Sequence, residues 1–180
     1  IMVRPGTYTE QLTIPWISGA SSSQIIFRAE NGDSSSVILQ FDPTTTNKHV
    51  VRFNNAAGIT WERMTINALG TDFGRVFQFD VNSFNNTIQH CAINGINTSS
   101  TSNSFSCIYA DNSFSDNLIR HNTIKNGSYG IQHAFSSNNK KSFEVRSNRI
   151  ENFSSMGLQF PNVSGLQVHV NTKKKKKNNV

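Results

Sequence analysis

The amino-acid sequence predicts an all-β fold, a solenoid of parallel coils stacked on one another. The first observation is a short repeated pattern in which an isoleucine stands just before a polar turn. The four anchor isoleucines, spaced by 27, 31 and 26 residues, are Ile66, Ile93, Ile124 and Ile150. Repeats of roughly 20 to 50 residues built from short β-type segments are typical of solenoids, in which each unit buries its apolar side chains only against its neighbours.

Apolar residues also recur at fixed positions relative to these anchors. Five residues before each anchor, and at the matching position of a further partial unit, the sequence has Trp61, Ile88, Ile119, Val145 and Val168. A second strand in each unit alternates two apolar positions with an outward one, as in Phe77-Gln78-Phe79 and Ile108-Tyr109-Ala110. This alternation is that of a strand with one buried face. We therefore expect continuous apolar columns inside the solenoid.

Polar turns separate these strands. They are rich in Asn, Gly and Ser, which tolerate left-handed and tight-turn backbone conformations. Asn122, Asn148 and Asn171 occupy one aligned position, and Met64 and Cys91 hold it in earlier coils. We expect the aligned asparagines to form a structural ladder of hydrogen bonds between coils, each contributing about 1 kcal/mol.

Several segments resemble a known family. VRPGTYTEQLTIP at 3–15, with IIFRAENGD and VILQ after it, resembles the first coil of right-handed parallel β-helix proteins of the pectate-lyase-like superfamily (the pectin lyase fold). HNTIKNGSYGI at 121–131 resembles their PbH1-type repeat. The resemblance covers about residues 1 to 170 and implies a right-handed parallel β-helix of about five to six coils.

The resemblance and the repeats together predict one domain. We expect a parallel β-helix over 1–172, with 1–40 as the first coil and N-terminal cap region and 50–172 as the repeats. Residues 173–180 are expected to form a disordered lysine-rich tail, because Lys173 falls where the isoleucine anchors lie. The chain opens directly in a strand, so we expect it to be part of a longer solenoid with adjacent domains.

The charge of the chain indicates little about its partners. The formal net charge is +6, and five positive charges lie in the run Lys173–Lys177, so the remainder is close to neutral. We therefore expect no nucleic-acid partner. No stretch approaches the roughly 18 apolar residues of a membrane span. Cys91 and Cys107, 16 residues apart, are expected on different strands as two small buried thiols.

Two aspartates provide one candidate binding site. Asp80 and Asp111 follow the second strands of adjacent coils, so their Cβ atoms should lie about 5 Å apart. With the neighbouring outward Tyr109, they are candidate ligand-binding residues. An aspartate at a strand end is also an ordinary turn former, and Ala134 and Pro161 end the ladder in the next coils. No dense carboxylate cluster is present, so no metal site is predicted.

A second candidate site is basic. Arg120 and Arg146 align as outward residues of neighbouring coils, and His121 follows Arg120 and aligns with His90. Such residues are candidates for binding an acidic sugar through bidentate hydrogen bonds and, in an enzyme, for catalysis. Outward Arg side chains are more often a solvated face of the protein.

The resemblance implies an extracellular or cell-surface β-helix domain that interacts with polysaccharide. A non-catalytic binding or structural role is favoured, because no catalytic set is recognisable. The alternative is a polysaccharide lyase that performs β-elimination on a uronate-containing glycan. No cofactor is expected for binding, whereas a lyase of the calcium type would require Ca²⁺. Polar loops at 97–106 and 136–142 are expected to project from the coil turns, where binding surfaces are usually built.

Overall fold

The computed structural model describes residues 1–80, 82–111, 114–134, 143–161, 166–169 and 172–175. It shows an all-β solenoid of about six turns, in which parallel strands stack from coil to coil. The predicted fold class is therefore confirmed. Within the described ranges there is one short 3₁₀ helix, Asn103–Phe105, and no helix has the length and apolar character that crossing a membrane requires.

Each coil contributes strands to three parallel sheets. The first sheet contains β1 (Met2–Val3), β4 (Ile25–Ala29), β7 (Ile59–Glu62), β11 (Thr87–Gln89), β15 (Asn117–Arg120), β18 (Phe143–Arg146) and β21 (Leu166–His169). The second contains β2 (Gly6–Thr9), β5 (Val37–Phe41), β8 (Thr65–Ala68), β12 (Ala92–Asn94), β16 (Thr123–Lys125), β19 (Arg149–Phe153) and β22 (Thr172–Lys175). The third contains β3 (Leu12–Ile14), β6 (His49–Phe53), β9 (Arg75–Phe79), β13 (Ile108–Ala110), β17 (Tyr129–His133) and β20 (Met156–Gln159). A small additional pair is formed by β10 (Ser83–Phe84) and β14 (Phe114–Ser115).

The interior columns have the predicted register. Ile93 pairs with Ile66 on one side and with Ile124 on the other, and Ile150 follows Ile124. All four side chains are fully buried. The column of the first sheet has the predicted register from Trp61 to Val168, and its members are buried except Val168, which is 44% exposed. Each such isoleucine, removed from water, contributes about 1.5–3 kcal/mol to stability.

Aromatic rings fill part of the same interior. The Phe53 and Phe79 rings stack with their centroids 4.5 Å apart, and Phe27 stacks on Trp61 at 5.2 Å. Cys91 and Cys107 are buried free thiols, as expected, and burial raises the pKa of each to about 12. They are therefore core residues rather than nucleophiles. Both lie in corners rather than on the strands where they were expected.

The corner between the first and second sheets, called the tight corner below, has two residues in each of four successive coils. Its first residue adopts a left-handed conformation with φ between 53° and 55°, and the four are Arg63, His90, His121 and Ser147. The second residue is buried in every case, and the four are Met64, Cys91, Asn122 and Asn148. The same backbone turn therefore recurs although its side chains differ. Because its length and conformation are constant, the strands on either side of it stay in register.

The predicted asparagine ladder forms at this corner. Asn122 donates its side-chain N–H to the Oδ1 of Asn148 at 3.0 Å and to the carbonyl of Ile88 at 2.9 Å. Its Oδ1 accepts the backbone N–H of Cys91 at 2.9 Å. The third member predicted, Asn171, lies outside the described residues.

A second asparagine ladder, which the sequence analysis did not anticipate, lies where the chain re-enters the first sheet. The Oδ1 of Asn117 accepts the backbone N–H of Asn86 at 2.9 Å, and the Oδ1 of Asn86 accepts that of Ile59 at 3.0 Å. Both side chains are buried. The residues before them, Asn85 and Asp116, have positive φ, so this corner repeats the arrangement of the tight corner.

The corner between the second and third sheets, called the loop corner below, varies in length. Its connections are 10–11, 42–48, 69–74, 95–107, 126–128 and 154–155. These loops contact one another: the backbone N–H of Gly74 donates to Ser104 at 2.8 Å, and that of Ser128 donates to Phe105 at 3.0 Å. The predicted loop 97–106 thus packs against adjacent coils, while the predicted loop 136–142 lies entirely outside the described residues.

The last described strand extends into the lysine run. Lys173 pairs with Ile150, the register that the repeats predict, and the strand continues through Lys175. The boundary predicted for the disordered tail, at residue 173, therefore lies inside a strand. The ladder of a parallel sheet consists of backbone hydrogen bonds, which a lysine residue supplies as well as an isoleucine does.

Candidate functional site

The outer face of the third sheet carries one polar or aromatic side chain per coil. These residues, called the third-sheet ladder below, pair in register and are Arg52, Gln78, Tyr109, Gln132 and Gln159. Successive strands of a sheet lie about 4.8 Å apart, so the ladder repeats at that interval along the solenoid axis. Four members stand between two apolar residues, whereas Gln132 stands between Ile131 and the buried His133. Arg52, Gln78 and Gln159 are half-buried, and Tyr109 and Gln132 are buried.

The carboxylate of Asp80 fixes the first two side chains of the ladder, Arg52 and Gln78. Arg52 donates its Nε–H to the Oδ2 of Asp80 at 2.6 Å, and a second guanidinium nitrogen contacts the same oxygen. Gln78 donates to the other carboxylate oxygen of Asp80 at 2.9 Å. The Arg52 side chain remains 37% exposed, so this pair lies at the surface, where solvent reaches one side of the guanidinium.

Arg75 packs across the middle of the ladder. Its guanidinium carbon lies 3.6 Å from the centroid of the Tyr109 ring, a cation–π contact. Arg75 also donates to Gln78 Oε1 at 3.1 Å and to the carbonyl of Asn103, in the 3₁₀ helix, at 3.3 Å. Burial lowers the pKa of Arg75 and raises that of Tyr109. The loop corner and the ladder are therefore joined through one side chain.

Asp111 lies on the coil next to Asp80, as predicted. The backbone N–H of Asp80 donates to Phe53 and that of Asp111 donates to Phe79, each at 2.9 Å, so the two residues continue the strand ladder in register. The carboxylate of Asp111 acts electrostatically on both Arg75 and Tyr109. The two aspartates thus flank the Arg75–Tyr109 stack.

A buried histidine lies beside this group. His49, the first residue of β6, pairs with Arg75 and is only 6% exposed. Burial, reinforced by the positive charge of Arg52, lowers its pKa to about 4. Its Nε2 has no hydrogen-bond partner among the residues that the structure describes. His49 is therefore neutral near pH 7 and adds no charge to the ladder.

The basic candidates lie elsewhere, along the edge where the first sheet meets the tight corner. The outward residues at the end of successive strands are Arg28, Glu62, Gln89, Arg120, Arg146 and His169. Immediately after four of them stand the left-handed residues Arg63, His90, His121 and Ser147. The rings of His90 and His121 stack at a centroid distance of 5.0 Å and an interplanar angle of 7°.

Hydrogen bonds and ion pairs hold the side chains of this edge, most of them between neighbouring coils and one within a strand. Gln89 joins two coils, because its amide donates to Glu62 and its Oε1 accepts the Nε–H of Arg120 at 2.7 Å. Arg28 contacts Glu62 at 3.7 Å, and Arg146 contacts Glu144 at 3.0 Å. Each arginine thus has one side fixed by a neighbour, with Arg28 and Arg146 still 48% and 38% exposed.

The candidate residues therefore fall into two groups. Asp80, Asp111 and Tyr109 lie together on the third sheet, whereas Arg120, Arg146 and His121 lie at the first sheet and tight corner. In the parts of the chain that the structure describes, no group of three or more His, Cys, Asp or Glu side chains is arranged to hold a metal ion.

Sequence reasoning missed Arg75 and His49. Strict alternation places both on the inward side of their strands, since each lies an even number of residues from a buried phenylalanine. Both are the first residue of a strand that begins directly after a loop, where alternation is weakest as a guide. No pattern in the sequence alone identifies the Arg75–Tyr109 stack.

Comparisons with other proteins bear on the resemblance noted from the sequence. The chain matches no protein-family model, and no curated protein or solved structure gives a significant match.

Proposed function

We propose that this β-solenoid is a non-catalytic polysaccharide-binding domain of the cell surface or extracellular space, and that the third-sheet ladder is its binding face. The observation that carries the proposal is the in-register series of planar side chains on a single outer face, of which Arg52, Gln78 and Gln159 are partly exposed. A ladder that repeats at each coil suits a ligand that itself repeats, such as a glycan lying along the solenoid axis.

The chemistry of the ladder suits sugar hydroxyl groups. Hydroxyls both donate and accept hydrogen bonds, and this face offers donors in Arg52, acceptors in Asp80 and Asp111, and both in the glutamine amides. The side chains already hold one another: Gln132 donates to Gln159 Oε1 at 2.6 Å, for example. Side chains fixed before binding lose little conformational entropy when a ligand arrives.

A binding role fits this face better than proton abstraction does. A general base must be free to take a proton from the substrate at its working pH. Asp80 is instead engaged by Arg52 and Gln78, and the Tyr109 ring lies against Arg75. These contacts favour a fixed recognition surface.

Calorimetric titration of the chain with soluble polysaccharides, both neutral and uronate-containing, tests the proposal. Gln78→Ala removes an amide from the ladder and is expected to weaken binding about tenfold, equivalent to about 1.4 kcal/mol. Gln40→Ala, a matched change at a half-buried glutamine of the second sheet, should leave affinity unchanged. Equal weakening by both variants, or no binding to any polysaccharide, would refute the assignment.

A polysaccharide lyase is the second candidate. Such an enzyme needs a base and a cation that stabilises the enolate. The favouring observation is that Arg120 and Arg146 occupy adjacent coils with His121 next to Arg120. Incubation with uronate-containing glycans, followed by the ultraviolet absorbance of the unsaturated product, tests it. If the wild-type chain forms this product and the Arg120→Gln variant does not, the protein is a polysaccharide lyase rather than a non-catalytic binding domain.

A further inference from the structure

A second surface of the molecule has a different character from the third-sheet ladder. It runs along the tight corner and is called the basic strip below; its residues are Arg28, Arg63, His90, Arg120, His121 and Arg146. Two carboxylates, Glu62 and Glu144, lie within it. Four arginines against two carboxylates leave the strip positively charged, whereas the ladder has Arg52 and Arg75 balanced by Asp80 and Asp111.

Neighbouring side chains orient the arginines of the strip but occupy only some of their N–H donors. Arg120 gives its Nε–H to Gln89, and Arg146 contacts Glu144 through its Nε. Because a guanidinium carries five N–H donors, each arginine retains donors after these contacts. The two residues pair directly across adjacent strands, so their guanidinium groups are displaced by about one coil spacing, 4.8 Å. A series of anionic groups along the axis can be bound in this way.

One histidine of the strip, His90, adds a charge that depends on pH. His90 and His121 are both exposed, and their rings stack face to face. The groups that act on His90 are Arg63 and Glu62 from the preceding coil and His121 and Arg120 from the following one. Burial, Arg63 and His121 lower the pKa of His90 from its ordinary 6.5, so the imidazole is neutral at pH 7.5 and gains charge as the pH falls.

We propose that the basic strip binds the anionic groups of an acidic polysaccharide, and that His90, whose ring stacks on that of His121, strengthens this binding in acidic solution. An anion placed beside the pair relieves the repulsion between the rings and the arginines. The strip is independent of the third-sheet ladder, since the two surfaces share no residue. An acidic glycan is favoured over a single-stranded nucleic acid because no outward Phe, Tyr or Trp ring of the described residues belongs to the strip, and base stacking depends on such rings.

The first experiment measures binding of the complete chain to polygalacturonate, to dextran sulfate and to uncharged dextran at low ionic strength. Binding to a polyanion, weakened by added salt and absent for dextran, is expected. The two polyanions distinguish carboxylate from sulfate as the preferred group. A single-stranded oligonucleotide is included, and tighter binding to it than to both polyanions would overturn the choice of partner.

Substitutions then locate the site. The double variant Arg120→Gln/Arg146→Gln should bind the preferred polyanion about tenfold more weakly, as the loss of two surface ion pairs of up to about 1 kcal/mol each implies. The control Arg4→Gln/Lys48→Gln removes the same charge at exposed positions outside both surfaces. Equal weakening in the two double variants would show only a general effect of net charge and would overturn the proposal.

The pH dependence is tested with His90→Asn/His121→Asn. Asparagine tolerates the left-handed conformation that both positions adopt, so the corner is retained, and far-ultraviolet circular dichroism checks that the fold is unchanged. Wild-type affinity for the preferred polyanion is expected to rise severalfold as the pH falls from 7.5 to about 5, because the lowered pKa of His90 places its protonation below the ordinary histidine value of about 6.5. The histidine variant should lose this rise. A rise that persists in the variant would refute the role of the pair.

Discussion

The tight corner and the loop corner follow different rules within the same coils. The tight corner uses two residues in four successive coils and places them in columns, from Arg63 to Ser147. The loop corner connects the same coils through loops that range from 95–107 to 154–155. A constant turn fixes the register of the flanking strands, whereas variable loops create local surroundings that no other coil repeats. The regular corner therefore supports the fold and an extended surface, and the irregular one builds a local site.

The largest effect is expected from breaking the interior column beside the tight corner. Ile124 is fully buried between Ile93 and Ile150, so Ile124→Ala leaves a cavity and should lower the free energy of unfolding by about 3 kcal/mol. Urea denaturation followed by circular dichroism measures the loss. Ile26→Ala, at a 38% exposed position, is the control and should cost much less. Similar losses for both would contradict the column as the main source of stability.

The asparagine ladder should come next in size. Asn122→Ala removes hydrogen bonds to Cys91, Ile88 and Asn148 and leaves buried backbone groups without a partner, which should cost about 2 kcal/mol in urea denaturation. Asn94 donates to Asn67 at 2.9 Å on the half-buried outer face of the second sheet. Asn94→Ala is therefore expected to cost about 0.5 kcal/mol or less. A greater loss in Asn94→Ala than in Asn122→Ala would reverse this ranking.

The next effect is expected in the pH dependence of stability, because the buried His49 directly follows a loop of the loop corner. His49 has a folded-state pKa of about 4 and an unfolded value near 6.5, so between these values the unfolded chain binds more protons. Its contribution to stability is complete above pH 6.5 and is lost as the pH falls towards 4. His49→Gln should flatten the fall in urea midpoint between pH 7 and pH 4.5. An unchanged slope in His49→Gln would show that the histidine is not buried as described.

The smallest effect is expected on the outer face of the first sheet. Arg28 and Glu62 lie 3.7 Å apart, with the arginine side chain 48% exposed, so water screens their attraction. Arg28→Gln is expected to change the free energy of unfolding by about 0.5 kcal/mol or less. A loss above about 1.5 kcal/mol in thermal or urea denaturation would mean that the ion pairs of this face, as well as the core columns, stabilise the stack.

What the sequence could predict follows the same division. The isoleucine columns, the pairing of Arg120 with Arg146 and the ladder from Asn122 to Asn148 were all accessible, because each depends on a position that repeats from coil to coil. The stack of Arg75 on Tyr109 was not accessible, since it depends on where a single loop returns to the sheet. The Asn86–Asn117 ladder lies between these cases. When the coils are aligned on the Ile88–Ile119 column, both asparagines fall two residues before it. The connections that precede them are longer than the two-residue tight corner, and they concealed the repeat.

The two-residue turn has a consequence for how the chain can change in length. In four successive coils this turn connects the first and second sheets with nearly the same left-handed φ. Inserting one more whole coil would therefore preserve the strand register of these two sheets. Duplicating the segment 93–123 would add one rung and lengthen the basic strip by one arginine and one histidine. The same duplication would also copy a single long loop over the third sheet. A solenoid lengthened in this way would carry a regular row of positive charge along the tight corner. It would also carry several long loops side by side at the loop corner.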